Sequence, residues 1–349
     1  MSALSANPLV SLILCVKNGM PYLPQAIASV ASQSYRCFEL IVQDGGSTDG
    51  TLEFLHGVKG IPSIHIDSAP DTGIGQAYNR AMRRCHGDII GSIDADNLLE
   101  SETLALVIDS FTQHTGSAAI YGATKIIDQE GHVMSMFLPG PFGLLRLMQC
   151  KLVPPFSTSF FSRSVCGNEL RFDEYLKTCA DFDLWLRLSH LPIIMMSCFF
   201  GRTRISNSSM TCRAENYGQF CTDKIRALEQ YFARYEHNAL LEALYRQSIA
   251  GIYLWAAESI YRIEGASERF NQHCEQAIAL DVYAEWPESL KGRIEMDLRN
   301  AEADLRDLKK DEAKECERQN RSRIQNCLFT AKRLGRALRH LMGGRASAA

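Results

Sequence analysis

The stretch DIIGSIDADN, residues 88–97, is an apolar run that ends in two aspartates spaced i, i+2. It predicts a buried strand over Asp88–Asp94 that delivers Asp94 and Asp96 to its carboxyl end. Outward from it, strand and helix signals alternate. Val10–Val16 (VSLILCV), Phe38–Asp44 (FELIVQD) and Ile64–Asp67 read as further strands. Leu23–Ser32, Thr51–His56, Ala77–Cys85 and Thr103–Thr115 carry helical spacing, with Ser47, Thr48 and Asp49 as capping residues ahead of the second. Strands separated by helices of about ten residues imply βαβ units. The expected fold class is α/β, a Rossmann-like, mostly parallel sheet with helices on both faces.

The pattern changes after residue 117. Ala118–Gly122, Lys125–Asp128 and Val133–Phe137 read as strands, the last two flanking the turn Gln129-Glu130-Gly131. Asp181–Leu191 reads as a helix and Ile193–Phe200 as an apolar strand. From Glu215 onward strand signals vanish, and Phe220–Tyr235, Ala239–Ile263, Ala266–Leu280 and Pro287–Gln319 read as helices. We therefore expect a first domain over 1–213, an all-α domain over 214–317 and a tail over 318–349.

The chain has 349 residues, 46% hydrophobic and 22% charged, which fits a folded protein with a sizeable core. A net charge of −3 hides a split: residues 1–317 carry −11, and the last 32 residues carry eight bases and no acid. Ile324, Leu328, Ala331, Leu334, Leu338 and Leu341 recur at helical spacing among those bases. Such a helix either lies on an anionic membrane surface through 318–345 or packs on the protein's own acidic helices. Oligomer formation through the C-terminal helices is a third use of the same surfaces. No aromatic platform accompanies the bases, so a nucleic-acid partner is not expected. The twelve cysteines contain no CxxC pair, which argues against a zinc ribbon or a thioredoxin motif and for reduced thiols in the cytoplasm. The longest apolar runs are too short to span a bilayer, and no basic region precedes the first, so neither a transmembrane anchor nor a signal peptide is expected.

In an open parallel sheet, ligands bind beyond the carboxyl ends of the strands. Here those ends carry Asn18, then Asp44 with Gly45-Gly46-Ser47-Thr48-Asp49-Gly50, then Asp94-Ala95-Asp96-Asn97. Two carboxylates leaving a strand at i, i+2 can hold one hard cation such as Mg2+ or Mn2+. The competing reading makes Asp94 and Asp96 capping residues of a turn. Gly73-Ile74-Gly75-Gln76-Ala77-Tyr78 lacks the third glycine of a dinucleotide fingerprint and follows the wrong strand. GxxxxGK[ST], GxSxG and HExxH are all absent.

Four stretches in order carry a resemblance: VSLILCVKNG, FELIVQDGGSTDGT, DTGIGQAYNRAMRRCHGDIIGSIDADN and FDEYLKTCADFDLWLRL. Together, over roughly residues 8–190, the sequence resembles the inverting, nucleotide-sugar-dependent glycosyltransferases of family 2, which have the GT-A fold. The resemblance implies that Val16, Asn18 and Asp44 hold the nucleotide base, with Asp44 favouring a UDP donor. It implies that Asp71 and Asn79 line the nucleotide pocket. Asp94-Ala95-Asp96 matches the DxD motif, with Asp96 on the metal (Mn2+ or Mg2+) and Asp94 on the ribose or a metal-bound water. Asp181 matches the catalytic base, and Asp183 points to another helix face.

Three departures stand out. No histidine follows the base between His190 and His237, which leaves Asn207 as a stand-in metal ligand. Ala180 precedes the base where an acid is common. The QxxRW motif of processive synthases is missing. The expectation is one sugar transferred per encounter, in polysaccharide biosynthesis or a related route, to a saccharide, lipid-linked or protein acceptor. The cytoplasm, with peripheral contact at the inner membrane face, is the expected location. The alternative is a non-catalytic scaffold on the same fold. A sugar nucleotidyltransferase would need an N-terminal GxGxR loop, which is absent.

Overall fold

The computed structural model of the protein describes residues 7–206, 209–236 and 239–280. Asn207, the helix expected over Pro287–Gln319 and the basic stripe of 318–349 lie outside these residues. The described residues fall within one compact unit, Met1–Trp286.

The first half runs β1 (Val10–Val16), α1 (Leu23–Ala31), β2 (Phe38–Asp44), α2 (Thr51–His56), β3 (Ile64–Ser68), α3 (Ile74–Met82), β4 (Ile89–Ser92), β5 (Leu98–Leu99), α4 (Thr103–Gln113) and β6 (Ala119–Ile127). Then come β7 (Val133–Phe137), α5 (Leu144–Met148), β8 (Ser159–Ser162), α6 (Arg163–Cys166), α7 (Ala180–Leu188) and β9 (Ile193–Arg204). Three helices close the described chain: α8 (Tyr217–Phe232), α9 (Ala239–Glu264) and α10 (Glu268–Ala279).

The sheet has the order β3-β2-β1-β4-β8-β6-β9-β5, with β7 paired to β6 off this path. β1, β2, β3 and β4 are mutually parallel, as βαβ connections require. β8 runs antiparallel between β4 and β6, and β6 pairs β9 in parallel. β1 and β2 are buried along almost their whole length, as expected of strands covered on both faces. On one face Leu12, Leu14, Leu40 and Val42 meet Leu23, Ile27 and Val30 of α1 and Leu104, Val107 and Phe111 of α4. On the other, Ile13, Ile41 and Ile90 meet α3 and α7. Phe220 and Leu228 of α8 and Ile252 and Ile260 of α9 join that same core. The helices after residue 213 therefore pack into the core of the sheet.

Two details differ from the sequence reading. Ala119–Ile127 form one long strand, β6, where two were expected over Ala118–Gly122 and Lys125–Asp128. It passes through Gly122 because the Phe200 ring of β9 occupies the space where a side chain would stand; a Cβ there would lie 2.5 Å from the ring. β8 was not anticipated: a four-residue strand flanked by serines is too short to show alternation. Gly87, which leads into β4, lies so close to β1 that a Cβ would sit 2.5 Å from the Ser11 backbone nitrogen and 2.8 Å from the Leu9 carbonyl oxygen. Gly87→Ala should therefore lower unfolding stability by about 1–3 kcal/mol in urea titration.

Candidate active site

β1 lies between β2 and β4, and its last residue, Val16, is in register with Asp44. The loops that leave these strands are stapled together. Gly45 N donates to the Val16 carbonyl at 2.8 Å, and Asn18 N donates to Ser47 Oγ at 2.8 Å. Thr48 N donates to Asn18 Oδ1 at 2.9 Å, and Met20 N to Asp49 Oδ2 at 2.9 Å. Asn18 has φ of 56°, a left-handed conformation that asparagine tolerates better than most residues. Asp44 is fully buried and accepts from Gly46 N, Ser47 N, Ser47 Oγ and Ser68 Oγ. Burial opposes its charge, but those donors outweigh it and hold its carboxyl below the usual range. Both its oxygens are committed to holding the loop.

Asp71 is half-buried and accepts from Gly73 N at 3.0 Å. A Cβ on Gly45 would meet its Oδ2 at 2.8 Å, so it borders the same loop. Asn79 turns elsewhere. Its Nδ2 donates to the Phe172 carbonyl and to Glu174 Oε1, both at 2.9 Å, and its Oδ1 accepts from Phe172 N. It thus fixes the segment 172–174 against α3.

Beyond β4, the Asp94-Ala95-Asp96-Asn97 turn leans on the β1 loop: a Cβ at Gly19 would lie 3.3 Å from that of Ala95. Asn97 Nδ2 donates to Asp94 Oδ2 at 2.8 Å. Burial, then the charges of Asp96 and Asp181, push the Asp94 carboxyl up to about 6. Burial also raises Asp96, partly offset by its own backbone N–H and by the Arg204 charge. Among the described residues no side chain donates to the Asp96 carboxylate. Two carboxylates that each resist ionisation beside one another suit a divalent cation, which would relieve both. Asp128, Glu130 and His132 form another acidic group, with ligand atoms within 4.8 Å of one another. There Asp128 already accepts from His132 N at 2.8 Å and pairs with its ring at 3.1 Å, closing the turn between β6 and β7.

Arg204 was not singled out from sequence, since nothing distinguishes a single base at a strand end. It is 3% exposed and ties the site together. Its Nε donates to the Asp96 carbonyl at 3.0 Å. Its other nitrogens reach the carbonyls of Asp128 and Gln129 and Gln25 Oε1 at 2.7–2.8 Å. Its backbone N donates to Asn97 Oδ1 at 2.9 Å, and its guanidinium lies 4.5 Å over the Tyr22 ring.

Asp181 stands in the first turn of α7, half-buried; the cap itself is Cys179, which makes no side-chain capping bond. Its Oδ1 accepts from Phe182 N at 2.8 Å. Burial pushes its carboxyl up, and the Lys224 ammonium opposes that. Asp94 and Tyr78 both feel its charge, so Asp181 lies within electrostatic reach of the end of β4. Asp183 is different. It is 3% exposed and pairs with Arg187 at 2.9 Å, while Arg187 also binds the Glu169 and Arg171 carbonyls. That network is structural. Asp94, Asp96 and Asp181 thus share one neighbourhood. Val16, Asn18, Asp44 and Asp71 form a second cluster beside it, and Cys15 feels both Asp94 and Asp71.

Residues 11–166 match the family model described as glycosyl transferase family 2. Over 191 residues the chain is 29% identical to the chondroitin synthase of Escherichia coli, covering 54% of this chain and 28% of that protein. It therefore spans little more than a quarter of that relative's length. Among solved structures, the mannosyltransferase PcManGT of Pyrobaculum calidifontis, in complex with GDP-Man and Mn2+, superposes with a TM-score of 0.54 at 13% identity, over 87% of this chain and 84% of that one. Staphylococcus aureus TarS in complex with UDP-GlcNAc gives a TM-score of 0.50 at 17% identity, over 78% of this chain and 88% of that one. The fold is GT-A, as in these solved structures. No helix among the described residues is long and apolar enough to cross a membrane.

Replacing Arg204 would strip a partner from three backbone carbonyls at once. Arg204→Lys, which cannot reproduce the planar fork, is expected to cost about 2–4 kcal/mol in denaturant titration and to speed hydrogen exchange at residues 95–98.

Proposed function

We propose that the protein is an inverting glycosyltransferase that moves a single sugar from a nucleoside-diphosphate sugar, UDP-linked in the first instance, to a hydroxyl of a saccharide, lipid-linked or protein acceptor. The observation that carries this reading is that Asp94, just past the end of β4, feels the charges of both Asp96 and Asp181, while Asp183 is withdrawn into an ion pair. A nucleotide sugar is also the donor class held by the solved neighbours of this fold.

Asp96, with Asp94 beside it, would hold Mn2+ or Mg2+; when bound, such an ion offers positive charge to the donor diphosphate. The protein's own residues divide the rest. Asp44 and Asn18 keep the 45–49 loop in place as the floor for the base, and Asp71 borders it. Asn79 fixes the 172–174 segment beside the nucleotide. An acceptor hydroxyl is too weak an acid to attack alone. As it attacks the anomeric carbon, an Asp181 oxygen takes its proton, while the bond to the diphosphate breaks on the opposite face. One displacement of that kind inverts the anomeric centre. The lack of a QxxRW motif supports transfer of one sugar at a time.

UDP release from UDP-GlcNAc with Mn2+ tests the assignment. Asp96→Ala and Asp181→Asn should each reduce turnover by at least about 100-fold. Intact turnover in both variants, or no binding of UDP with any divalent ion, would overturn it, the latter in favour of a scaffold. A separate expectation concerns pH. A carboxylate must lose its proton to bind a metal, and Asp94 does so only near pH 6. In the absence of donor, Mn2+ affinity measured by calorimetry should be flat above that value and fall about tenfold per pH unit below it.

A further inference from the structure

The amino ends of the parallel strands carry a second group of chemistry-bearing side chains, opposite the ends that lead to Asp44 and Asp94. Glu39 is the second residue of β2 and only 4% exposed, in register with Ser11 of β1. His65 is the second residue of β3 and pairs with Ile41, two places along β2 from Glu39. Glu39 and His65 therefore project from the same face of the sheet. His86 lies in the turn between α3 and β4. The transfer reaction uses none of these residues.

One oxygen of Glu39 is fixed by its surroundings. Ser11 Oγ donates to Oε1 at 2.5 Å, and His86 N donates to it at 2.7 Å. Ser11 Oγ accepts in turn from Gly87 N at 2.8 Å, across the close approach of Gly87 to β1. The other oxygen, Oε2, faces two imidazoles, His86 Nδ1 at 3.3 Å and His65 Nε2 at 3.7 Å. Among the described residues no lysine or arginine pairs with Glu39 within 4.0 Å. No permanent cation thus answers the charge of a carboxylate that is nearly out of water.

Two imidazoles and one carboxylate form a ligand set for a borderline divalent ion such as Zn2+, with the fourth position left to water. Around a tetrahedral zinc with bonds of about 2.0–2.2 Å, neighbouring ligand atoms lie about 3.3–3.6 Å apart. Both imidazole-to-carboxylate spacings are close to that. The two ring nitrogens stand more than 4.8 Å from each other, and the ring centres are 6.5 Å apart. Their side chains are 50% and 72% exposed, so rotation about their own bonds can bring both onto one ion while the backbone stays in place. The donors on Oε1 are the outer partners that hold a ligating carboxylate in orientation. The ligand types also separate this group from Asp94 and Asp96: imidazole nitrogens favour zinc, whereas an all-oxygen pair favours Mg2+ or Mn2+.

We propose that Glu39, His65 and His86 form a Zn2+ site that clamps β2, β3 and the turn into β4 at the amino ends of the strands. The site is separate from the acids that serve the transfer reaction and stands whether or not that reaction is assigned correctly.

Calorimetric titration of the full chain with Zn2+, in saturating Mg2+ to occupy the oxygen-only acids, tests the proposal. Wild type should bind one Zn2+ equivalent whose affinity falls at least about tenfold in His65→Ala and in His86→Ala. Both side chains are half or more exposed, so these substitutions remove ligands without opening the core. Ser11→Ala, which takes away an outer partner of Glu39, should weaken the same event by about tenfold. In thermal unfolding, Zn2+ should raise the Tm of wild type, Asp96→Ala and His132→Ala, and leave that of the His65→Ala and His86→Ala proteins unchanged. Absence of Zn2+ binding by wild type overturns the proposal. So does equal affinity in wild type and both histidine variants, or a Zn2+ effect lost only in Asp96→Ala or His132→Ala.

Discussion

Parallel pairing of β1 between β2 and β4 is the constraint from which the site follows. Parallel strands must all end on the same side, so whatever leaves them leaves together. The chain exploits this by placing short polar residues just past each end. A loop beside another parallel loop has many unpaired backbone groups, and here each loop satisfies the other: Asn18 and Asp49 bind across the gap between the β1 and β2 ends. Asp44 closes the arrangement from below with both oxygens. Such mutual bonding makes a rigid floor without a disulfide or metal staple.

The sequence made the parallel half legible because its signals are local. VSLILCV and FELIVQD are dense apolar runs followed at once by Asn18 or Gly45, and the strands appear within a residue or two of where those runs lie. Asp94 and Asp96 were visible because two acids directly after such a run are unusual. The antiparallel insertion was not, because β8 owes its existence to edges offered by β4 and β6, a non-local partner choice that four residues do not encode. Arg204 illustrates the same limit for the site. Its importance lies in four acceptors drawn from α1, the Asp96 turn and the β6–β7 turn, segments up to 179 residues away.

The division of labour between charged groups sharpens the picture. Arg204 stands near Asp96, yet its N–H groups face backbone and side-chain carbonyl oxygens, so its charge moderates that carboxylate without pairing with it. Asp94 and Asp96 are thereby left as acids in a half-buried place with no built-in cation against them. Asp181 instead feels the charge of Lys224 of α8, from the region where the strand pattern has already ended. This contrast is what the two proposed roles demand. A group meant to meet an exchangeable divalent ion is best left short of positive charge by the protein. A group meant to accept a proton must be ionised before each attack, and the Lys224 charge favours that form of Asp181.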